Sequence, residues 1–373
     1  MLTIIVFILI LGVLIFVHEL GHFLTARQSG IKADEFGFGF PPRILGVVKD
    51  EKSGKRKLVW GGKEVRSKFT IYSINWIPLG GFVKIKGEDG EGKKEKDSFA
   101  AKPALTRIKV LAAGVIMNFI LAWVLIAIAL TIGAPEAVDS AQAVPGAHIQ
   151  VTDVAGNSPA SAMGMKIGDE IIGTGGGTKF QSVSDLQNYI NSHKGQQIDL
   201  EIKRGSQTID LKGAPRENAP SGQGALGIGL AETITRSYPW YQSIWQGLLD
   251  VLNLIWAMVV AIVGILKSLM TGHSVGADVT GPVGIAVLTK QVTALGLVYV
   301  LKFAALLSIN LGIINAIPFP ALDGGRILFV LIEKIKGRPV SQKVEQTFHT
   351  VGFLLLILLM IVITFRDVGK YIK

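Results

Sequence analysis

The chain has 373 residues, 49% of them hydrophobic and only 18% charged, and a mean hydropathy of +0.45, which places it among helical membrane proteins. It has no cysteine, which excludes a disulfide framework and any thiolate-ligated zinc or iron–sulfur site. The net charge of +10 does not point to a nucleic-acid partner, because the basic residues cluster beside apolar spans and read as topology signals.

The first element is an apolar span over residues 1–26, followed by Arg27 and Lys32. It lacks a basic leader and a small-residue cleavage site, so it is expected to be retained. It runs into Phe16-Val17-His18-Glu19-Leu20-Gly21-His22. On a helix, His18 and His22 leave one face about a turn apart, a spacing that suits two nitrogen ligands on one tetrahedral zinc ion. Glu19 is placed to take a proton from a water that such a metal activates. Histidines that only cap carbonyls at a helix end are the plainer alternative. Depth weighs against that reading. At about 1.5 Å per residue, His18 lies roughly 24 Å along the span, inside a hydrocarbon core about 30 Å thick. A carboxylate there costs about 2.5–3.5 kcal/mol unless it is partnered or hydrated. Zinc needs a third protein ligand, and none lies nearby, so it must come from far along the chain.

Residues 27–109 carry more Lys and Arg than Asp and Glu, so the positive-inside rule makes this segment cytoplasmic and the N-terminus external. Within it, Glu35-Phe36-Gly37-Phe38-Gly39-Phe40 is apolar and glycine-punctuated. Residues 68–77, a turn at Pro78-Leu79-Gly80-Gly81, and residues 82–86 read as a β-hairpin with an apolar tip beside the membrane. Two readings stand: an ordinary cytosolic hairpin, or a re-entrant edge strand that pairs with an extended substrate. Residues 87–97 form a charged, glycine-rich loop, expected to be mobile.

A second span covers 110–133, interrupted by Asn118, which either bonds to a neighbouring helix or belongs to an active cavity. Residues 138–232 then turn soluble and glycine-rich. A strand at 148–154, Ser158-Pro159-Ala160, a turn into 169–172, a helix over 184–193 and two strands flanking Arg204-Gly205 follow in order. This order resembles a PDZ domain. Its carboxylate-binding loop would be Gly224-Ala225-Leu226-Gly227-Ile228-Gly229, behind the last of these strands, as in a circular permutant.

Residues 240–295 read as a membrane-associated linker, with a turn-rich connector over 272–287. A third span, 296–325, ends in Asn315-Ala316-Ile317-Pro318-Phe319-Pro320-Ala321-Leu322-Asp323-Gly324. Two prolines spaced by one residue cannot continue a helix, so the backbone opens just before Asp323. A basic cytoplasmic segment, 326–349, and a fourth span, 350–366, complete the chain. His148, His193, His273 and His349 read as surface or interface residues. The fold class is therefore an α-helical polytopic membrane protein of about four transmembrane helices, with a membrane-associated β-hairpin and an inserted α+β PDZ domain. Ile244–Leu266 is apolar enough to span. If it crossed, however, Asp323 would emerge on the face opposite the histidines, so it is expected to lie along the outer leaflet.

H-E-x-x-H in a first span together with N-x-x-P-x-P-x-L-D-G in a later one resembles the site-2 protease family of intramembrane zinc metalloproteases. The bacterial branch known as regulator of sigma-E protease is the most similar. F-G-F-G, P-L-G-G-F-V-K, A-G-x-x-x-N at 113–118 and T-G-P-V-G-I at 280–285 extend the resemblance over nearly the whole chain. It implies His18, His22 and Asp323 as ligands of Zn2+ and Glu19 as the catalytic carboxylate. Asn315 would hold substrate, and Gly80 and Gly81 would lie in the loop that presents an edge strand to it. Val115 stands where the family usually has proline, and there is one PDZ domain where some relatives have two. The implied partners are the lipid bilayer, single-span membrane protein substrates, and peptide or protein C-termini at the PDZ domain. The implied location is the bacterial inner membrane, with the active site toward the cytoplasm and the PDZ domain outside. A catalytically silent scaffold is the competing reading, and stoichiometric zinc separates the two. A transporter lacks the inverted repeats it would need.

Overall fold

The computed structural model describes residues 2–371 apart from 52, 63, 64, 66, 91, 93, 139–145, 206, 221, 272–280 and 339. In chain order the elements are α1 (Leu2–Gln28), β1 (Ala33–Lys49), β2 (Arg56–Trp60), β3 (Ile71–Ile85), α2 (Ala104–Ile132), β4 (Ala134–Ala137), β5 (His148–Val154), α3 (Pro159–Ala162) and β6 (Glu170–Thr174). They continue as α4 (Val183–Ser192), β7 (Ile198–Arg204), β8 (Gln207–Gly213), β9 (Ile228–Arg236), α5 (Trp240–Met270), α6 (Pro282–Leu295), α7 (Leu297–Ala316), α8 (Asp323–Lys336) and α9 (Gln342–Tyr371). Five of the helices, α1, α2, α5, α7 and α9, are long and apolar enough to cross a membrane. Together with the two sheets they make a polytopic membrane protein. The chain forms two compact units: Met1–Ile126 with Ile244–Val283 and Ala304–Asp367, and Ala127–Ser243 with Gly284–Phe303 and Val368–Lys373.

In the first unit, small residues let the helices approach. A Cβ at Gly21 of α1 would come within 2.5 Å of the Ala113 carbonyl oxygen on α2, so the two backbones nearly touch. Gly312 of α7 packs in the same way against the Phe119 ring of α2. This is the pattern of helix association in lipid, where close packing replaces the hydrophobic driving force. Near the far ends, Arg107 of α2 pairs with Glu333 of α8 at 2.5 Å, over a cluster that includes Ala26, Ile85, Phe99, Val110, Leu111 and Val330.

The three-stranded sheet of this unit runs β2-β1-β3 and corrects the expected hairpin. Residues 71–85 form one continuous strand rather than two arms about a turn, and the two arms do not pair with each other. Glu35, Phe36, Gly37 and Phe38 of β1 have partners on both arms, Lys84 to Gly81 on one side and Ile71 to Ile74 on the other. The F-G-F run therefore threads between them. It can do so because β1 is itself a 17-residue strand that bends back, and Asn75 fixes the bend by donating its amide to the Gly39 carbonyl at 2.7 Å. Phe36 anchors the sheet on α1 by stacking on Phe23 at 4.4 Å between centroids, a contact worth about 0.5–1.5 kcal/mol beyond its buried area. The loop at 87–97 is tied at its root. Lys86 pairs with Glu95 and Asp97, and the hydrogen bonds its ammonium donates, to Glu95 first and Asp97 second, hold its pKa above the usual range. Glu88 pairs with Arg326 of α8.

The second unit holds a six-stranded sheet in the order β4-β9-β5-β6-β7-β8, with α4 packed on it. Its core is Ile149, Val151, Ile171, Leu186, Leu200, Ile202 and Leu226, all nearly inaccessible. Ser182 caps α4 through a reciprocal capping box with Asp185, and Ser158 caps α3. Asp169 is wholly buried and accepts from Arg204 Nε and Nη2 at 2.7 Å each and from the Lys166 backbone N–H at 2.8 Å. Residues 282–287, expected in a turn-rich connector, instead begin α6, and 272–280 lie outside the described residues, as does His273. Leu295 of α6 covers Gly168, and Tyr299 of α7 accepts from Gln150 at 2.8 Å.

A buried carboxylate stripped of its guanidinium is strongly destabilising. Arg204→Leu is expected to cost about 3–5 kcal/mol in this unit, read as faster proteolysis within 148–213 of the full-length protein. Arg204→Lys, which keeps a charge, should lose less.

Candidate metal centre

α1 supplies His18 and His22 from one face, both buried. Their Nε2 atoms lie 3.1 Å apart. Asp323, 300 residues further on, enters with its Oδ2 at 3.1 Å from His18 Nε2 and 3.4 Å from His22 Nε2. Among the described residues, these three form the group of potential ligands close enough to share a metal ion. The edges of a tetrahedron with zinc–ligand bonds of 2.0–2.1 Å are about 3.3 Å, so three of its corners have the size of this triangle. Asp323 Oδ2 is buried and accepts no hydrogen bond, although two ring nitrogens lie beside it. Two imidazoles and one carboxylate oxygen of this spacing, one of them orphaned, fit a zinc ion.

The chain brings Asp323 here by breaking a helix. α7 ends at Ala316, and the missing N–H groups of Pro318 and Pro320 leave a tight connection over 317–322. Ala321 takes a left-handed backbone with φ of 71°, and its N–H donates to His349 Nδ1 of α9 at 2.9 Å. Gly324 and Gly325 sit directly on the carbonyls of Ala316, Ile317 and Phe319, where no side chain would fit. His349 is thus an interface residue that holds the connection two residues before Asp323.

α2 backs the histidines. His22 Nδ1 donates to the Val110 carbonyl at 2.9 Å, and Asn118 lies against His18 Nδ1 at 3.1 Å. Gly114, midway between them, leaves room for both rings, since a Cβ there would come within 2.7 Å of His18 Cε1 and closer still to His22 Nε2. Of this stripe at 110, 114 and 118, the A-G-x-x-x-N motif holds Gly114 and Asn118 but not Val110. The i, i+4, i+8 spacing facing an H-E-x-x-H helix is the signal that reveals it.

Glu19 is partly buried and lies beside the bend of β3. A Cβ at Gly81 would come 2.8 Å from Phe16 Cα and 3.1 Å from Glu19 Cβ. Gly80, with φ of 82°, fits against Ile15 in the same way. The glycine pair therefore seats the strand on α1 at the level of Glu19. Residues 81–85 pair with β1 on one side and, among the described residues, with no strand on the other. Asn315 lies one residue from the end of α7, half-buried, and no described hydrogen bond joins it to the three ligand candidates.

The model of peptidase family M50 matches residues 6–359 of the chain. A putative zinc metalloprotease of Clostridium perfringens is 34% identical over 97% of this chain and 97% of its own length. The zinc metalloprotease RasP of Geobacillus kaustophilus is 30% identical, over 99% of this chain and 98% of its own. The regulator of sigma-W protease RasP of Bacillus subtilis is likewise 30% identical, over 99% and 98%. A match of this extent, on a chain whose apolar helices carry H-E-x-x-H, settles the family: the chain belongs to peptidase family M50, the site-2 proteases, and is a membrane zinc metalloendopeptidase.

Proposed function

We propose that the protein cleaves the transmembrane segments of single-span membrane proteins, such as anti-sigma factors or remnant signal peptides, at a centre formed by His18, His22 and Asp323. The observation that carries this reading is the ligand triangle of 3.1, 3.1 and 3.4 Å, set within an apolar helix bundle beside a strand with an open edge. Zinc supplies a Lewis acid that polarises the scissile carbonyl and makes water a better proton donor near neutral pH. Glu19 takes the proton from the attacking water and passes it to the leaving amine. A substrate helix hides its carbonyls and must first unwind, and pairing with the open edge of 81–85 stabilises the extended form. Gly80 and Gly81 keep that edge against α1, and Asn315 at the opened end of α7 contacts the bound segment.

In this reading 27–109 and 326–349 are cytoplasmic, and 138–232 is an extracytoplasmic, circularly permuted PDZ domain that takes protein C-termini. α5 lies along the outer leaflet. Support for the last point comes from length: a crossing α5 would require α6, with 14 residues, to return the chain, and a span needs about 17–25.

Glu19→Gln is expected to abolish cleavage while zinc stays bound, whereas Asp323→Ala should lose both. Metal analysis of the purified proteins checks this, and near-normal cleavage by Glu19→Gln would sink the mechanism. For the open edge, Lys86 N–H donates to Lys32 O, so alternate residues Phe82 and Lys84 face β1, and Val83 and Ile85 face outward. Val83→Pro removes an outward donor and should slow cleavage at least tenfold (about 1.4 kcal/mol) without changing zinc content; unchanged turnover would argue against strand pairing. For α5, cysteines replacing Gln242 and Lys267, both exposed, should each label from outside with an impermeant thiol reagent. Protection of the second site alone would mean that α5 spans.

A further inference from the structure

Asn118 is wholly buried in α2, and its one described side-chain hydrogen bond is to His18. As the amide stands, Nδ2–H donates to His18 Nδ1 at 3.1 Å, and Oδ1 has no partner. No second group therefore fixes which way the amide faces, so the tautomer of His18 decides it. A ring that accepts at Nδ1 carries its proton on Nε2, the atom that points at His22 and Asp323. A ring that offers its Nε2 lone pair to a metal carries the proton on Nδ1 instead. It then needs an acceptor there, and Asn118 Oδ1 is the acceptor that a half-turn of the amide brings into place. The backbone would hold through that turn. Ser308 Oγ of α7 donates to the Asn118 carbonyl at 2.7 Å, and Gly114 keeps α2 close to both rings. His22 already has such an arrangement, with its Nδ1 on the Val110 carbonyl.

We infer that Asn118 is a positioning residue for the zinc centre: its Oδ1 accepts from His18 Nδ1–H and selects the tautomer that presents Nε2 to the metal. The inference rests on the proposed ligand set. α2 thus orients both histidines of α1 from positions 110 and 118, once through a backbone carbonyl that no substitution can remove and once through a side chain that can be tested.

The test is zinc retention against a competing chelator, measured on full-length protein in detergent for wild type, Asn118→Leu, Asn118→Asp and Asp323→Ala. Partners of this kind typically contribute about 10–100-fold in metal affinity. Asn118→Leu, close in shape but with no acceptor, should lose zinc affinity by that factor while eluting as the same folded species. Asn118→Asp, which keeps the oxygen, should stay within about threefold of wild type, because carboxylates also serve as the outer partner of a ligating histidine. Wild-type retention by Asn118→Leu would overturn the proposal and leave the ligand set standing. Should the Leu variant not fold, the Asp variant decides alone: a tenfold loss there would show that His18 depends on the amide N–H₂ and would overturn the proposal. If wild type itself holds no zinc, or Asp323→Ala holds it as tightly, the ligand set fails and this inference with it.

Discussion

Three polar atoms about 3 Å apart in an apolar bundle are the constraint on which the rest of the first unit depends. Two come from adjacent turns of α1, and the third arrives 300 residues later on a different helix. Buried polar groups this close are costly to hold in a low-dielectric region unless they share a proton or a cation. They stay together because the surrounding backbone leaves them little freedom. Gly21 lets α1 lie on α2, Gly114 makes space for both imidazoles, and Gly312 lets α7 lie on the other side of α2. A side chain at Gly114 would collide with both imidazoles, and one at Gly21 with the backbone of α2.

The break in α7 plays the complementary part. A continuous helix would carry residue 323 almost two turns beyond Ala316, away from the histidines. Two prolines and a left-handed Ala321 compress those residues into a turn, so Asp323 opens α8 at the ligand triangle. The turn has few hydrogen bonds of its own, and His349 of α9 and the glycines at 324, 325 and 352 hold it from outside. A helix distant in sequence thereby sets the position of an acidic residue at the candidate centre.

The sheet of the first unit lies against the helix that carries H-E-x-x-H. Its inner run, Glu35–Phe38, is paired on both sides, and among the described residues this leaves 81–85 as an edge beside Glu19. An unpaired edge is normally a hazard that proteins cover or charge. Here it lies beside Glu19 of the H-E-x-x-H helix, with Gly81 packed against that side chain.

Much of this was legible in the sequence, because the signals were local. Helical periodicity fixes His18 and His22 on one face, apolar length marks the spans, and proline removes donors wherever it falls, so the opening before Asp323 follows from residues 318 and 320 alone. Alternation and turn chemistry likewise gave the strands and helices at 148–213 their places. What failed was non-local. The stretch 68–86 looks like a hairpin because Pro78-Leu79-Gly80-Gly81 resembles a turn, and only the presence of β1 between the arms makes it one bent strand. Residues 282–287 carry glycine and proline, yet proline at the first position of α6 starts a helix as readily as it ends one. Asn118 and His349 are single polar residues in apolar helices, and although Asn118 closes the A-G-x-x-x-N motif, nothing within a few positions of His349 marks a role. Their partners, His18 and the Ala321 N–H, meet them only once the helices pack. Sequence thus determined the chemistry each segment can offer, and tertiary structure decided which groups meet, because those distances are set by the close approach of backbones far apart in the chain.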